Sequence, residues 1–95
     1  MSRTTKKAVA AVDAADLLGE AALVRSQIWQ NGRTVIAAII TEATTDPIFL
    51  PEGAAALVSL TAFPPGQPSR MMRDVPLYAE PRDESTLPAT WVKPR

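Results

Sequence analysis

Val24-Arg25-Ser26-Gln27-Ile28-Trp29-Gln30-Asn31-Gly32-Arg33-Thr34-Val35-Ile36-Ala37-Ala38-Ile39-Ile40-Thr41 is the stretch on which the fold turns. Two apolar, β-branched runs flank an Asn-Gly pair. Asn-Gly favours a two-residue type I′ turn, because both central residues take positive φ. Such a turn fixes the register. It predicts Ile28 opposite Val35, Ser26 opposite Ala37 and Val24 opposite Ile39. One face then carries small and apolar side chains. The other, with Trp29 and Arg25 on one side and Ile36 and Ala38 on the other, is mixed. The second strand reads as central and covered on both faces, the first as closer to an edge.

Prolines organise the rest. All nine lie between Pro47 and Pro94. Each removes a backbone N–H and fixes φ, so regular structure in the second half is interrupted every few residues. Ile48-Phe49-Leu50, between Pro47 and Pro51, is an edge strand at most. Leu57–Phe63 is a further strand candidate, with Val58, Leu60 and Ala62 on one side. Pro64-Pro65-Gly66-Gln67-Pro68 is a loop, and residues 75–79 add one more edge strand.

Upstream of the hairpin, Leu17, Leu18, Ala21 and Ala22 recur at helical spacing. Asp13 is placed to cap a short helix over residues 13–23, although Gly19 interrupts it. A strand preceded by an arm is the alternative. The expected fold class is therefore mainly β. It is a small single domain with a central hairpin turning at Asn31-Gly32, short edge strands, an N-terminal helix or arm, and a proline-spaced extended C-terminal arm. The expected divisions are a basic arm at 1–7, a β-rich core at 8–79 and the C-terminal arm at 80–95.

Ninety-five residues bound the answer to one small domain. A core of this size is marginal alone. With no cysteine there is no disulfide to supplement it. Association with a partner or with copies of itself is the remaining supplement. Ten basic residues balance ten acidic ones, so no global field draws nucleic acid or anionic lipid. No apolar run is long enough to span a membrane. Asp13 cuts Ala8-Val9-Ala10-Ala11-Val12 too short for a secretory h-region. A cytoplasmic protein, or one in a virion assembled there, is expected.

The chemical inventory argues against an enzyme. Histidine and cysteine are absent, and Lys6, Lys7 and Lys93 all lie at the ends. A nucleophile–base pair has few residues to draw on. Asp13, Asp16 and Glu20 could share a helical face, yet a solvated surface accounts for that spacing. No metal, cofactor or small-molecule substrate is inferred. Arg25, Trp29 and Arg33 could form a stacking platform for nucleic acid, or simply a tryptophan rimmed by arginines.

Trp91 stands in the proline-spaced tail with Leu87 and Val92 beside it. A tryptophan there docks on its own core or anchors in a partner. The candidate partner-binding residues are Trp91, Leu87 and Val92 in the tail, with Arg3, Lys6 and Lys7 in the basic arm. The function these features suggest is non-enzymatic. The chain would be a structural or assembly protein that binds a larger protein surface, or its own copies, through extended arms, as a virion cement or decoration component does. The alternative is a small DNA-binding regulator of antitoxin type with a protein-binding tail.

Overall fold

The computed structural model describes residues 14–83 and 85–92. One turn of helix, α1 (Ala14–Leu17), precedes five strands: β1 (Ala21–Arg25), β2 (Val35–Thr44), β3 (Ala56–Ala62), β4 (Arg70–Tyr78) and β5 (Ala89–Val92). The chain is mainly β, with a hairpin and a short N-terminal helix. The strands close into a barrel in sequence order. Neighbours are antiparallel except β4 and β5, which run parallel through Leu77–Thr90 and Tyr78–Trp91. β5 then pairs with β1, Trp91 opposite Leu23, and the ring is complete. Among the described residues no helix is long and apolar enough to cross a membrane.

The helix is shorter than its apolar spacing predicts. Gly19, at φ +82°, ends it in a left-handed step. Gly19 N–H then donates to the Ile40 carbonyl and Ile40 N–H to that of Glu20, so the chain is already lying along β2 before β1 begins. Ala21 and Ala22 are strand residues. The proposed cap, Asp13, lies outside the described residues, as do Arg3, Lys6 and Lys7.

The β1–β2 hairpin is present, but its register differs from the one a two-residue turn imposes. Val24 faces Ile36 and Arg25 faces Val35, a slip of three residues from the expected pairing of Val24 with Ile39. An odd slip exchanges the two faces of one strand relative to the other. Ile36, Ala38 and Ile40 therefore point inward, and Val35, Ala37 and Ile39 outward. The slip makes room for a connection spanning residues 26–34 in place of the tight turn. Within it the Trp29 amide donates to the Ser26 carbonyl and that of Gly32 to Trp29. Asn31 and Gly32 do take positive φ, at 56° and 90°, joined by Gln30 at 52°. This left-handed run carries Trp29 over the barrel end, where it is only 7% exposed and joins the core. Ile28, expected opposite Val35, is half exposed in the loop.

Alternation fixes the rest of the interior. β3 buries Ala56, Val58, Leu60 and Ala62 and half-exposes the residues between them. With Val24, Ile40, Val75 and Leu77 these form one core capped by Leu17. Full burial of each large aliphatic side chain contributes about 1.5–3 kcal/mol.

Residues 80–95 read from the sequence as an extended arm whose Trp91 docks on its own core or on a partner; the structure shows the first. Residues 89–92 supply β5, and Trp91, 3% exposed, packs with Tyr78 and Ala89 against Leu23 and Ala54. The Thr90 hydroxyl, fully buried, donates to the Leu23 carbonyl. The reason is closure. Without β5, β1 and the end of β4 would present unpaired backbone to solvent. For the same reason β1 is not an edge strand. Ile48-Phe49 is not a strand either: Pro47–Phe49 forms a 3-10 turn.

Candidate interaction surface

Closure hides the interior polar groups and leaves an unusual exterior. On the outer face of β1 to β4, two rows of side chains run across the strands. One passes from Ala21 to Ile39, Thr61 and Met71. The next passes from Leu23 to Ala37 and on to Phe63, whose amide donates to the Ala37 carbonyl at 2.9 Å. Phe63 is 49% exposed and Met71 73%. Val35 and Ile39 are exposed beside them. These exposed apolar side chains, with Thr61 interrupting the first row, make this face the candidate interaction surface. The slip of three residues in the hairpin created it, since it turned the Val35–Ala37–Ile39 face outward.

A second exposed apolar element projects from the β2–β3 connection. Ile48 and Phe49 are among the most exposed large apolar residues described, at 82% and 61%. They are held firmly. The Asp46 amide donates to Thr44 Oγ1 at 3.3 Å, and Asp46 Oδ1 accepts from the Ile48 amide at 3.1 Å. The Phe49 amide donates back to the Asp46 carbonyl, and Pro47 and Pro51 bracket the turn. Local side-chain caps and fixed proline φ lower the freedom lost when such a loop docks. Beside this loop an open cleft of about 410 Å³ is bounded by Leu18, Leu57, Glu42 and Asp74.

At the other end of β2, a cleft of about 260 Å³ lies between the β1–β2 and β3–β4 connections. Ile28, Trp29, Ile36, Pro64 and Pro65 give it apolar walls.

Arg25 and Arg82 near the first connection are committed to structure, while Arg33 within it is exposed. Arg25 Nε donates to the Arg82 carbonyl at 3.0 Å, and its Nη1 donates to the Gly32 carbonyl. Arg82 in turn stacks over the Tyr78 ring at 4.3 Å, a cation–π contact. Arg25 and Trp29 do not share a face as the two-residue turn predicts, because Trp29 folds inward. Asp83 is exposed, and its carboxyl is held below the usual range by the Ser85 hydroxyl first and the Ser85 amide second.

The sequence-derived candidates separate accordingly. Trp91 is inside this chain's own core. Val92 is half-buried in β5 and packs on the core. Leu87 is half-buried just before β5, next to a cis bond to Pro88. None of the three forms a free anchor. The outer apolar rows do not follow from the sequence reading, in which β2 is covered on both faces; its Val35–Ala37–Ile39 face is exposed instead. The Ile48-Phe49 projection has a legible signal, two prolines bracketing three apolar residues, a pattern that a short edge strand shares.

No family model matches this sequence, and no curated protein and no solved structure matches it.

Proposed function

We propose that this chain is a non-enzymatic assembly protein that docks on a larger protein surface through the outer face of its barrel. The observation that carries this reading is the exposure of Val35, Ala37, Ile39, Phe63 and Met71 on the outside of a closed barrel. The arms enter this reading less than the sequence suggests, since β5 belongs to the barrel. A capsid-decorating or cement component in the cytoplasm or virion is the setting this design fits, by analogy of design alone.

The test compares native-source preparations of the wild-type protein and the double variant Ile39→Lys, Met71→Lys. Both side chains are exposed, so the barrel tolerates the change. The wild type is expected to sediment with a large particle and the variant to remain in the slow fraction. Equal sedimentation of the two would remove the face from the mechanism. A duplex DNA shift by the purified domain, falling steeply with salt, would instead replace this reading with the DNA-binding regulator.

A further inference from the structure

Asn31 is the chain's one asparagine, and Gly32 follows it. That dipeptide carries a reaction of its own. The Gly32 nitrogen attacks Cγ of the Asn31 side-chain amide. A C–N bond forms, the Cγ–Nδ2 bond breaks, and the Gly32 amide proton leaves with Nδ2 as ammonia. Water then opens the five-membered imide on either side. Cleavage at Cγ gives aspartate. Cleavage at the backbone carbonyl gives isoaspartate, whose main chain runs through the side chain and is one methylene longer. Glycine in the second position favours the attack, since it has no Cβ to obstruct it. The folded loop opposes this reaction in three ways. The Gly32 N–H donates to the Trp29 carbonyl at 3.0 Å, so the attacking nitrogen is engaged. Asn31 stands at φ 56° and ψ 35°. Ring closure needs Cβ and the Gly32 nitrogen nearly eclipsed about the Asn31 Cα–C bond, whereas at this ψ they are nearly opposite. Gly32 is also buried, and its carbonyl accepts from Arg25 Nη1, which anchors the glycine from its other side.

We infer that Asn31-Gly32 is a modification site opened only when Trp29 leaves the barrel end, and that isoaspartate formed there keeps Trp29 out. The hydrogen bond that silences the Gly32 nitrogen also closes the loop on the Trp29 backbone, so freeing one loosens the other. Local openings of this kind cost less than unfolding of the whole domain. The two products then behave differently. Aspartate accepts a left-handed conformation as asparagine does, and the loop closes again. Isoaspartate does not, because its added methylene displaces Gly32 from both Trp29 and Arg25. The cleft of about 260 Å³ that Trp29 walls with Ile28, Ile36, Pro64 and Pro65 then loses that side. Each opening that reacts is thereby recorded irreversibly in the backbone. The outer face of the barrel plays no part in it.

Incubation of the purified full chain at mildly alkaline pH tests it. Loss of ammonia at Asn31 is followed by peptide mass spectrometry, and isoaspartate by methyltransferase labelling, to which no second asparagine and no Asp-Gly pair contributes. The folded wild type is expected to react at least about tenfold more slowly than the chain in strong urea. In urea well below the unfolding transition, its rate should rise with a shallower slope than global unfolding has. Trp29→Phe, which leaves a smaller ring at the barrel end, and Trp29→Ala, which removes it, should speed the reaction in that order. Far-ultraviolet dichroism checks that the barrel persists, and Trp29→Phe carries the comparison if Trp29→Ala unfolds. Trp29 and Trp91 are 7% and 3% exposed, so both are shielded in the native chain. The isolated isoaspartate form should show one tryptophan newly quenched by acrylamide, while Asn31→Asp leaves both shielded. A folded chain that reacts as fast as the chain in urea overturns the inference. So does a rate that tracks global unfolding alone, or one that neither Trp29 variant raises while folded. An isoaspartate form with both tryptophans still shielded overturns the locking step.

Discussion

Arg25 reaches across 57 residues of sequence to the backbone of Arg82, its Nε 3.0 Å from that carbonyl, while its Nη1 holds Gly32. One guanidinium thus ties the β1–β2 connection to the segment that leads into β5. Carbonyls in loops have no ladder partner, and a buried one left unpaired is costly. Replacing Arg25 with Leu keeps much of the packing and removes both donors. The expected loss is about 1–3 kcal/mol in urea unfolding, with the barrel intact at low denaturant.

Gly32 is the residue on which the Trp29 plug depends. It is buried and sits at φ +90°. A β-branched side chain there is strained and also has to find room. Gly32→Val should destabilise by more than about 1 kcal/mol. Gly19→Ala, at φ +82° with no atom within 4 Å of the added Cβ, isolates the strain alone and should cost about 1 kcal/mol. Thermal melts of the pair separate the two contributions.

Deleting residues 86–95 now has a different expected outcome from the one a free arm implies. The deletion removes β5 and with it Trp91 and the buried Thr90 hydroxyl bond. The truncated chain should lose its cooperative melt. Trp91→Ala alone should cost about 3–5 kcal/mol. A folded truncated chain by circular dichroism would show that β5 is dispensable for closure.

Asp83 provides a local pH probe. Its carboxyl is lowered by the Ser85 hydroxyl and then by the Ser85 amide, with burial opposing and Arg25 adding a smaller pull. A group whose folded pKa is depressed contributes stability above its unfolded value, and that contribution fades as pH falls through the folded value. The turn at residues 83–86, where the Thr86 amide donates to the Asp83 carbonyl, should therefore loosen on the acid side of ordinary carboxylate titration. Carbon-detected NMR titration should place Asp83 below its model-peptide value, and Ser85→Ala should bring it partly back.

How much of this was legible in the sequence depends on what each residue had to do. β3 was readable because Val58, Leu60 and Ala62 alternate with half-exposed neighbours, and alternation needs no tertiary information. The hairpin was readable from its two apolar runs. Its register was not, because Asn31-Gly32 suits a two-residue turn locally while Trp29 gains more by plugging the barrel. β5 was hidden by its prolines. The five residues between Pro88 and Pro94 look like an arm until β1 and β4 are seen to need a common partner. The interaction surface was the least legible part, since the inward or outward sense of Val35 and Ile39 follows from the register and cannot be read from composition.

β4 shows a separate device. Among the described residues, those of β4 outside its contact with β5 at Leu77 and Tyr78 pair only with β3. Asp74 breaks that edge with φ +55° next to a register shift, and Pro76 withholds a donor. Charge, bulge and proline together blunt an edge that would otherwise recruit further strands. Asp74→Val with Pro76→Val should therefore raise thioflavin-positive aggregation at a given concentration, without a matching loss of thermal stability.

The pairing of β1 with β5 also sets an order of events during synthesis. Leu23 waits for Thr90, 67 residues later in the chain, before its carbonyl is satisfied. At about 5–20 residues per second the ribosome takes several seconds to deliver that partner. Until residues 89–92 have cleared the exit tunnel, the barrel is an open sheet with two bare edges. Folding of this domain is thus a post-emergence event, and its most vulnerable species is the nascent chain. A stall or premature stop anywhere after β4 would release a sheet that can close only on a neighbour.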